Sequence, residues 1–149
     1  MALFVLNEWL WAYASGDPGA QRQALDVVTR LAKSSHQIIV ITGSPFERKA
    51  FACCKSHDVA CSRIGAAFHL MIRLNSDRCR LLDATEAPAL TDAFAVVKDD
   101  DHYLIQAQLS APGSVLITTD QPLREIVQAA GRECLSPAEF IATYLQDQQ

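Results

Sequence analysis

Short apolar runs alternate along this chain with segments of helical periodicity, and this alternation constrains the fold more than any other feature. Residues 3–6, 37–42 and 114–118 are brief and largely apolar, which is typical of strands buried on both faces of a sheet. Strands that alternate with helices are joined by right-handed crossovers and pair mostly in parallel. The sequence therefore predicts an α/β fold of three layers, α/β/α, with a mostly parallel central sheet.

Signals for helix starts fall between these runs. Asp17 precedes Pro18, which predicts an N-cap followed by proline at the first helical position. The pattern Ser-Pro-x-Glu begins at Ser44 and again at Ser136, and it predicts two helices that open with a capping box. Further elements are expected in the last third of the chain, namely helices over about residues 99–110 and 121–130 and a short strand near Cys134.

The middle of the chain fits two periods. Apolar side chains occupy every second position from Ile64 to Leu74, and the polar triplet Asn-Ser-Asp that follows can form a turn. The period of two predicts a β-hairpin insertion over about residues 66–83. A helix through residues 62–73 is the alternative interpretation of the same segment.

Length and composition indicate one cytoplasmic domain. The 149 residues fit a single domain over residues 1–149. No apolar run approaches the roughly 20 residues of a membrane span, and no basic residue precedes the apolar N-terminal run, as it would in a signal peptide. Five cysteines without framework spacing favour a reducing compartment. We therefore expect a cytoplasmic protein with no membrane partner.

Charge is distributed unevenly along the sequence. Residues 48–80 hold seven basic and two acidic side chains, whereas residues 81–120 hold seven acidic side chains and one lysine. A basic segment beside an acidic one suits a metal-dependent enzyme that acts on a polyanion, because phosphates attract cations and metals attract carboxylates. The candidate phosphate-binding residues are Arg48, Lys49, Arg73, Arg78 and Arg80, and the predicted hairpin would place the last three on one solvent-facing surface.

Carboxylates follow the predicted strands. Asn7 and Glu8 come after the first strand, Glu47 lies beyond the second, and Asp120 follows the strand at 114–118. The acidic run Asp99–Asp101 opens the helix that leads into that strand. Active sites of parallel sheets lie at the carboxyl ends of the strands. We therefore expect these side chains to converge on one edge of the sheet, where hard cations such as Mg²⁺ take oxygen ligands.

The stretch from Asp101 to Asp120, D-H-Y-L-I-Q-A-Q-L-S-A-P-G-S-V-L-I-T-T-D, resembles the C-terminal half of the PIN domain. That pattern has an aspartate that opens a helix, an aliphatic residue three positions on, a small residue six positions on and a strand that ends in Thr-x-Asp. Leu104, Ala107 and Thr118 occupy those places, together with both aspartates. The order of elements agrees over nearly the whole chain, whereas the specific motif covers only the last third.

The resemblance implies a Mg²⁺- or Mn²⁺-dependent endoribonuclease that cleaves RNA with metal-activated water and leaves a 5′-phosphate. Many PIN domains are the toxin of a toxin–antitoxin pair, so RNA and an antitoxin-like protein are the implied partners. The implied catalytic residues are Glu8, Glu47, Asp101, Thr118 and Asp120. The implied metal ligands are Asn7, Glu8, Asp100, Asp101 and Asp120.

Other functions remain open from the sequence. The family usually has aspartate where this chain has Asn7, and an amide carries no charge, so a PIN-like module that binds RNA or a protein without turnover is the main alternative. The segment Val40–Ser44 (V-I-T-G-S) resembles the second motif of haloacid-dehalogenase-type phosphatases, but the first strand lacks their nucleophilic aspartate. Trp9 and Trp11 indicate a buried core or the interface of a homodimer.

Overall fold

The computed structural model describes residues 1–146 and contains one sheet of five strands, all parallel, in the order β3-β2-β1-β4-β5. The strands are β1 (Leu3–Leu6), β2 (Gln37–Ile41), β3 (Cys79–Leu82), β4 (Val115–Ile117) and β5 (Glu133–Leu135). The helices are α1 (Trp9–Ala14), α2 (Pro18–Lys33), α3 (Pro45–Cys54), α4 (Val59–Phe68), α5 (His102–Ser110), α6 (Gln121–Ala129) and α7 (Pro137–Tyr144). The predicted three-layer α/β fold is confirmed.

Right-handed crossovers decide which face each helix covers. The chain moves from β1 through β2 to β3 in one direction and then crosses to β4 and β5 on the other side of β1. Helices α1–α4 therefore cover one face, and α5 and α6 cover the opposite face. The contacts agree with this arrangement, since α1–α4 pack on one another while α5 packs on β1, β2 and β4.

The predicted caps of α2 and α7 form, whereas the capping box predicted at Ser44 is incomplete, because the Glu47 carboxylate accepts from the Gly43 N–H instead of the Ser44 N–H. Asp17 Oδ1 accepts a hydrogen bond from the backbone N–H of Ala20 at 2.8 Å, at the start of α2. Ser136 and Glu139 form the reciprocal capping box that opens α7. Each cap satisfies backbone N–H groups that the helix itself leaves unpaired.

The predicted hairpin over residues 66–83 is wrong, and the helical alternative is closer to the structure. Helix α4 continues into a π-helical turn at His69–Arg73, and within this segment only β3 is a strand. The buried side chains Ile64, Phe68 and Ile72 lie four residues apart, a spacing that fits both an alternating strand and one face of a helix. Leu70 and Leu74, which would share their face in a strand, are exposed.

The core fills both sides of the central strand. Strands β1, β2 and β4 are almost fully buried. Trp9 and Trp11 lie in this core, and the indole N–H of Trp9 donates to the carbonyl of Ile117 at 2.9 Å. None of the helices within residues 1–146 combines the length and the apolar composition that a bilayer crossing needs.

Candidate metal and active site

The sheet has its switch point between β1 and β4. After β1 the chain adds β2 and β3 on one side of β1, and it later adds β4 and β5 on the other side of β1. The connections that leave β1 and β4 therefore run to opposite faces, and a crevice forms at the carboxyl ends of these two strands. Asn7 and Glu8 follow β1, and Thr118 and Asp120 follow β4. Four predicted site residues thus flank the crevice.

Thr118 joins the two strand ends through its buried hydroxyl. The residue is 1% exposed, and its Oγ1 accepts hydrogen bonds from Asn7 Nδ2 at 2.8 Å and from the backbone N–H of Asp120 at 3.1 Å. The carbonyl oxygen of the Asn7 side chain accepts from the backbone N–H of Glu8 at 2.7 Å. Both polar atoms of the Asn7 amide therefore have protein partners, and in this structure the residue acts as a brace.

Three carboxylates share the crevice. Asp101 precedes α5, is half-buried and makes no capping hydrogen bond with its side chain. Burial raises the pKa of Asp101, and the negative charges of Asp120, Glu8 and Asp100 raise it further. Glu8, Asp101 and Asp120 all lie at the carboxyl edge of the sheet, around the switch point, and we call these three residues the carboxylate cluster.

Two of these carboxylates also have protein partners. Glu8 Oε1 lies 3.0 Å from Nζ of Lys49 on α3. Asp120 Oδ1 accepts from the backbone N–H of Leu123 at 3.1 Å and so caps α6. The cap and the cluster are compatible, because a carboxylate has two oxygens and several lone pairs. The predicted ligand Asp100 is exposed in the turn before α5.

The side chains of the carboxylate cluster offer carboxylate oxygens, which are the kind of ligand that hard divalent ions take. Within residues 1–146 no group of three or more His, Cys, Asp or Glu side chains could hold a metal ion. Mg²⁺ is usually bound by only one or two carboxylates, with waters and substrate phosphates completing the coordination. Glu8, Asp101 and Asp120 offer such oxygens. The described residues therefore contain no preformed metal site, and Mg²⁺ stays a prediction.

Glu47 does not join the cluster, contrary to the prediction. Its side chain is largely buried, and its Oε2 lies 2.9 Å from Nε of Arg73. Its Oε1 accepts from the backbone N–H of Gly43 at 3.1 Å. Ser44 still caps α3 by accepting from the Glu47 N–H. Glu47 therefore stabilises the start of α3 and forms an ion pair with Arg73, the last residue of the π-helical turn.

The surface expected for Arg73, Arg78 and Arg80 does not form, because the hairpin that would align them is absent. Arg73 is bound to Glu47 and lies over the ring of Phe51. Arg78 precedes β3 at the amino edge of the sheet and donates to the carbonyls of three residues, Ala32, His36 and Asp77. Arg80 is exposed on the edge strand. The three guanidinium groups therefore have separate environments.

Arg48 and Lys49 lie closer to the cluster. Both are exposed and belong to the first turns of α3, which begins at the carboxyl edge of the sheet. The contact of Lys49 with Glu8 places this turn directly beside the crevice. Of the five candidate phosphate-binding residues, Lys49 is the one in contact with a carboxylate of the cluster, and Arg48 precedes it in α3.

Sequence analysis missed two features of the site. One is the ion pair between Lys49 and Glu8, which depends on how α3 packs beside β1. The other is Tyr103, whose buried hydroxyl has no hydrogen-bond partner among the described residues and lies two positions after Asp101. Its position next to the acidic run was a signal available in the sequence, but a tyrosine in an apolar helix is more often core.

No protein-family model matches this sequence, and no curated protein matches it significantly. The resemblance to the PIN domain therefore rests on the residues of the chain itself. The fold and the carboxylate cluster are the observations on which a function can be argued.

Proposed function

We propose that this chain is a Mg²⁺- or Mn²⁺-dependent endoribonuclease with a PIN-like fold. The observation that carries the proposal is the position of Glu8, Asp101 and Asp120 at the carboxyl edge of the sheet, around the switch point between β1 and β4. Carboxylates that approach one another repel unless a cation lies among them. Such a cluster at the binding edge of a parallel sheet supports metal-dependent chemistry over a structural role.

Each residue of the proposed site has a separate role. Asp101, Asp120 and Glu8 would hold the ion, which when bound would lower the pKa of a water and stabilise charge on the leaving oxygen. Thr118 fixes the backbone of Asp120 through its hydroxyl. In the proposed reaction water attacks the phosphorus and the bond to the 3′ oxygen breaks, which leaves a 5′-phosphate and a 3′-hydroxyl.

Cations beside the cluster support a polyanionic substrate. We propose that RNA phosphates contact Arg48 and Lys49 at the start of α3.

All five cysteines are free thiols, which agrees with a reducing cytoplasmic setting. An antitoxin-like protein and a second copy of the chain remain proposed partners that follow from the PIN resemblance.

A second candidate function is an RNA-binding module without turnover. Asn7 favours it, because the amide adds no negative charge and both of its polar atoms have protein partners. The ion pair between Lys49 and Glu8 also favours it, since the ammonium already neutralises one carboxylate. In this function RNA would bind the same edge of the sheet without any need for a divalent ion.

Titration of Mn²⁺ by calorimetry and cleavage of a labelled single-stranded RNA distinguish the two functions. A nuclease should bind Mn²⁺ and cut the RNA, and Asp101→Asn should abolish both. Asp77→Asn is the matched control, because Asp77 is exposed in the turn before β3, at the opposite edge of the sheet. Binding of RNA that is indifferent to Mn²⁺, with no cleavage, would reject the nuclease and favour the binding module.

A further inference from the structure

Phe51 on α3 is an aromatic residue that lies outside the apolar core. Phe46 on the same helix is buried in that core, whereas Phe51 is only half-buried. Its ring contacts two side chains of the π-helical turn. The centroid of the His69 ring lies 5.7 Å from its own centroid, and the guanidinium carbon of Arg73 lies 5.6 Å from it. Phe51 therefore presents apolar ring surface that the core does not use.

The ring of Phe51 is held in a fixed position. Arg73 lies over the ring, where a guanidinium is attracted to the aromatic face. The guanidinium is fixed in turn, because its Nε lies 2.9 Å from Oε2 of Glu47, a residue that is only 7% exposed. A surface that is already ordered loses little conformational entropy when a ligand binds to it.

Two exposed cations share the outer face of α3 with this ring. Arg48, Phe51 and Lys55 are separated by three and four residues, a spacing that places them on one face of a helix. Both cations are exposed, and neither forms an ion pair within residues 1–146. The acidic side chains of α3, α4 and their connection are occupied, since Glu47 is in an ion pair and Asp58 caps α4. We call Arg48, Phe51 and Lys55 the α3 ridge.

We propose that the α3 ridge binds single-stranded RNA, with a nucleobase stacked on Phe51 and phosphates on Arg48 and Lys55. This inference deepens the proposed function and rests on RNA as the ligand, but it needs no divalent ion. Proteins bind single strands with cations that follow the backbone and with aromatic rings on which the bases stack. In a duplex the bases are stacked on one another, so only phosphates can reach the ridge. The ridge therefore favours unpaired RNA.

The α3 ridge leads to the crevice between β1 and β4. Helix α3 begins at the carboxyl edge of the sheet, and Lys49 in its first turn lies 3.0 Å from Glu8. Arg48 and Lys55 are about 10 Å apart along the helix axis, given the rise of an α-helix, so they can contact different phosphates of one strand. A strand that lies along the ridge therefore has one end at the crevice.

Phe51→Leu tests the stacking, because it removes the ring and keeps an apolar side chain. Affinity is measured in a chelator by fluorescence anisotropy, with a labelled unstructured RNA and with the same RNA annealed to its complement. We expect the dissociation constant of the single strand to rise about tenfold and that of the duplex to stay unchanged. Phe51→Tyr keeps the ring and should bind as the parent does.

Tyr144→Leu is the matched control for the loss of a ring. Tyr144 is half-buried, and its ring centroid lies 5.6 Å from that of His36, at the amino edge of the sheet. Its replacement should leave the affinity for both forms of RNA unchanged. Melting temperatures of both leucine variants show how much stability each one loses.

Arg48→Gln combined with Lys55→Gln tests the phosphate contacts. The salt dependence of single-strand binding should weaken by about 1.4 counterions, because each contact with a single strand contributes about 0.7. Lys33→Gln is the control, since Lys33 is an exposed lysine at the end of α2, near the amino edge of the sheet. A salt dependence equal to that of the parent in the double variant would remove both cations from the RNA site.

The remaining outcomes separate the α3 ridge from the proposed function. If the parent binds single-stranded RNA and Phe51→Leu binds it as tightly, the ridge is overturned while RNA stands as the ligand. An equal loss for single strand and duplex would overturn the stacking. If the parent binds no RNA, the proposed function and this inference fall together. Tighter binding of polyglutamate than of RNA would assign the ridge to an acidic protein instead.

Phe51→Trp keeps the inference testable if Phe51→Leu does not fold. The indole preserves a stacking surface and adds fluorescence, which a stacked base quenches. Addition of single-stranded RNA should lower the emission of this variant more than that of the parent. Equal changes in emission would show that no base stacks at this position.

Discussion

The side-chain amide of Asn7 donates a 2.8 Å hydrogen bond to Oγ1 of Thr118 and so links the carboxyl ends of β1 and β4. The same threonine oxygen accepts from the backbone N–H of Asp120. Asn7 therefore braces the crevice between the two strand ends. Because this brace adjoins Glu8 and Asp120, variants at the end of β1 test the site directly.

Asn7→Asp should strengthen metal binding and raise turnover. The new carboxylate adds charge to the cluster, and the Thr118 hydroxyl can rotate to donate to it, so the strand ends stay joined. Without metal the melting temperature should fall, because a fourth negative charge increases repulsion. Asn75→Asp, in the turn before β3, is the control. Unchanged Mn²⁺ affinity in calorimetry would exclude the end of β1 from the site.

Asp101→Asn should stabilise the metal-free protein in a manner that depends on pH. The pKa of Asp101 is raised in the folded state, so the ionised form is disfavoured there and the parent loses stability as pH rises through that pKa. The variant should therefore melt higher than the parent at neutral pH, and the difference should vanish below the unfolded pKa of about 3.9. Thermal melts in a chelator across this range measure it. A constant difference at all pH values would contradict the assignment.

Asp120→Asn should abolish Mn²⁺ binding and leave the fold intact. Asparagine caps a helix about as well as aspartate, so the hydrogen bond from the Leu123 N–H should survive. Asp17→Asn is the matched control, because Asp17 caps α2 in the same way without belonging to the cluster. Calorimetry and thermal melts should separate the two variants. If both bind Mn²⁺ as the parent does, Asp120 is a helix cap alone.

Lys49→Met should raise the affinity for Mn²⁺. The ammonium lies 3.0 Å from Glu8 and occupies the place of a cation, so its removal frees the carboxylate for the ion. RNA affinity should fall at the same time, and its dependence on salt should weaken by about one counterion. Arg48→Met removes the same charge from the neighbouring position and serves as the control. Equal Mn²⁺ affinity in the parent and both variants would show that Lys49 does not compete with the metal.

Gly65→Ala should destabilise the protein without a specific effect on the site. A Cβ at this position would lie 2.6 Å from the backbone nitrogen of Cys54, because α4 crosses α3 at close range. Crowding of this kind costs about 1–3 kcal/mol. Gly19→Ala is the control, since its added Cβ meets nothing closer than 3.3 Å. Melting temperatures compare the two, and a Gly65→Ala variant as stable as the parent would mean that α3 and α4 can separate freely.

Local sequence determined most of the elements. The apolar runs that became β1, β2 and β4 are each short enough to be strands, and a polar residue follows each of them, namely Asn7, Thr42 and Thr118. Asp17 and Ser136 cap their helices with atoms only three residues away in sequence. Such contacts depend on the residues nearest in the chain, so they can be predicted without knowledge of the tertiary fold. The strands run parallel because a helix connects each strand to the next.

Tertiary structure decided what the local pattern left open. Ile64, Phe68 and Ile72 satisfy both periods, and packing of α4 on α3 selected the helix. The partners of the charged residues were also decided by packing, since Glu47 pairs with Arg73 from a distant segment. The sequence predicted that Glu8, Glu47, the run Asp99–Asp101 and Asp120 would converge on one edge, and Glu47 instead pairs with Arg73. Which cation faces Glu8 depended on the distance between α3 and the end of β1, which no local pattern encodes.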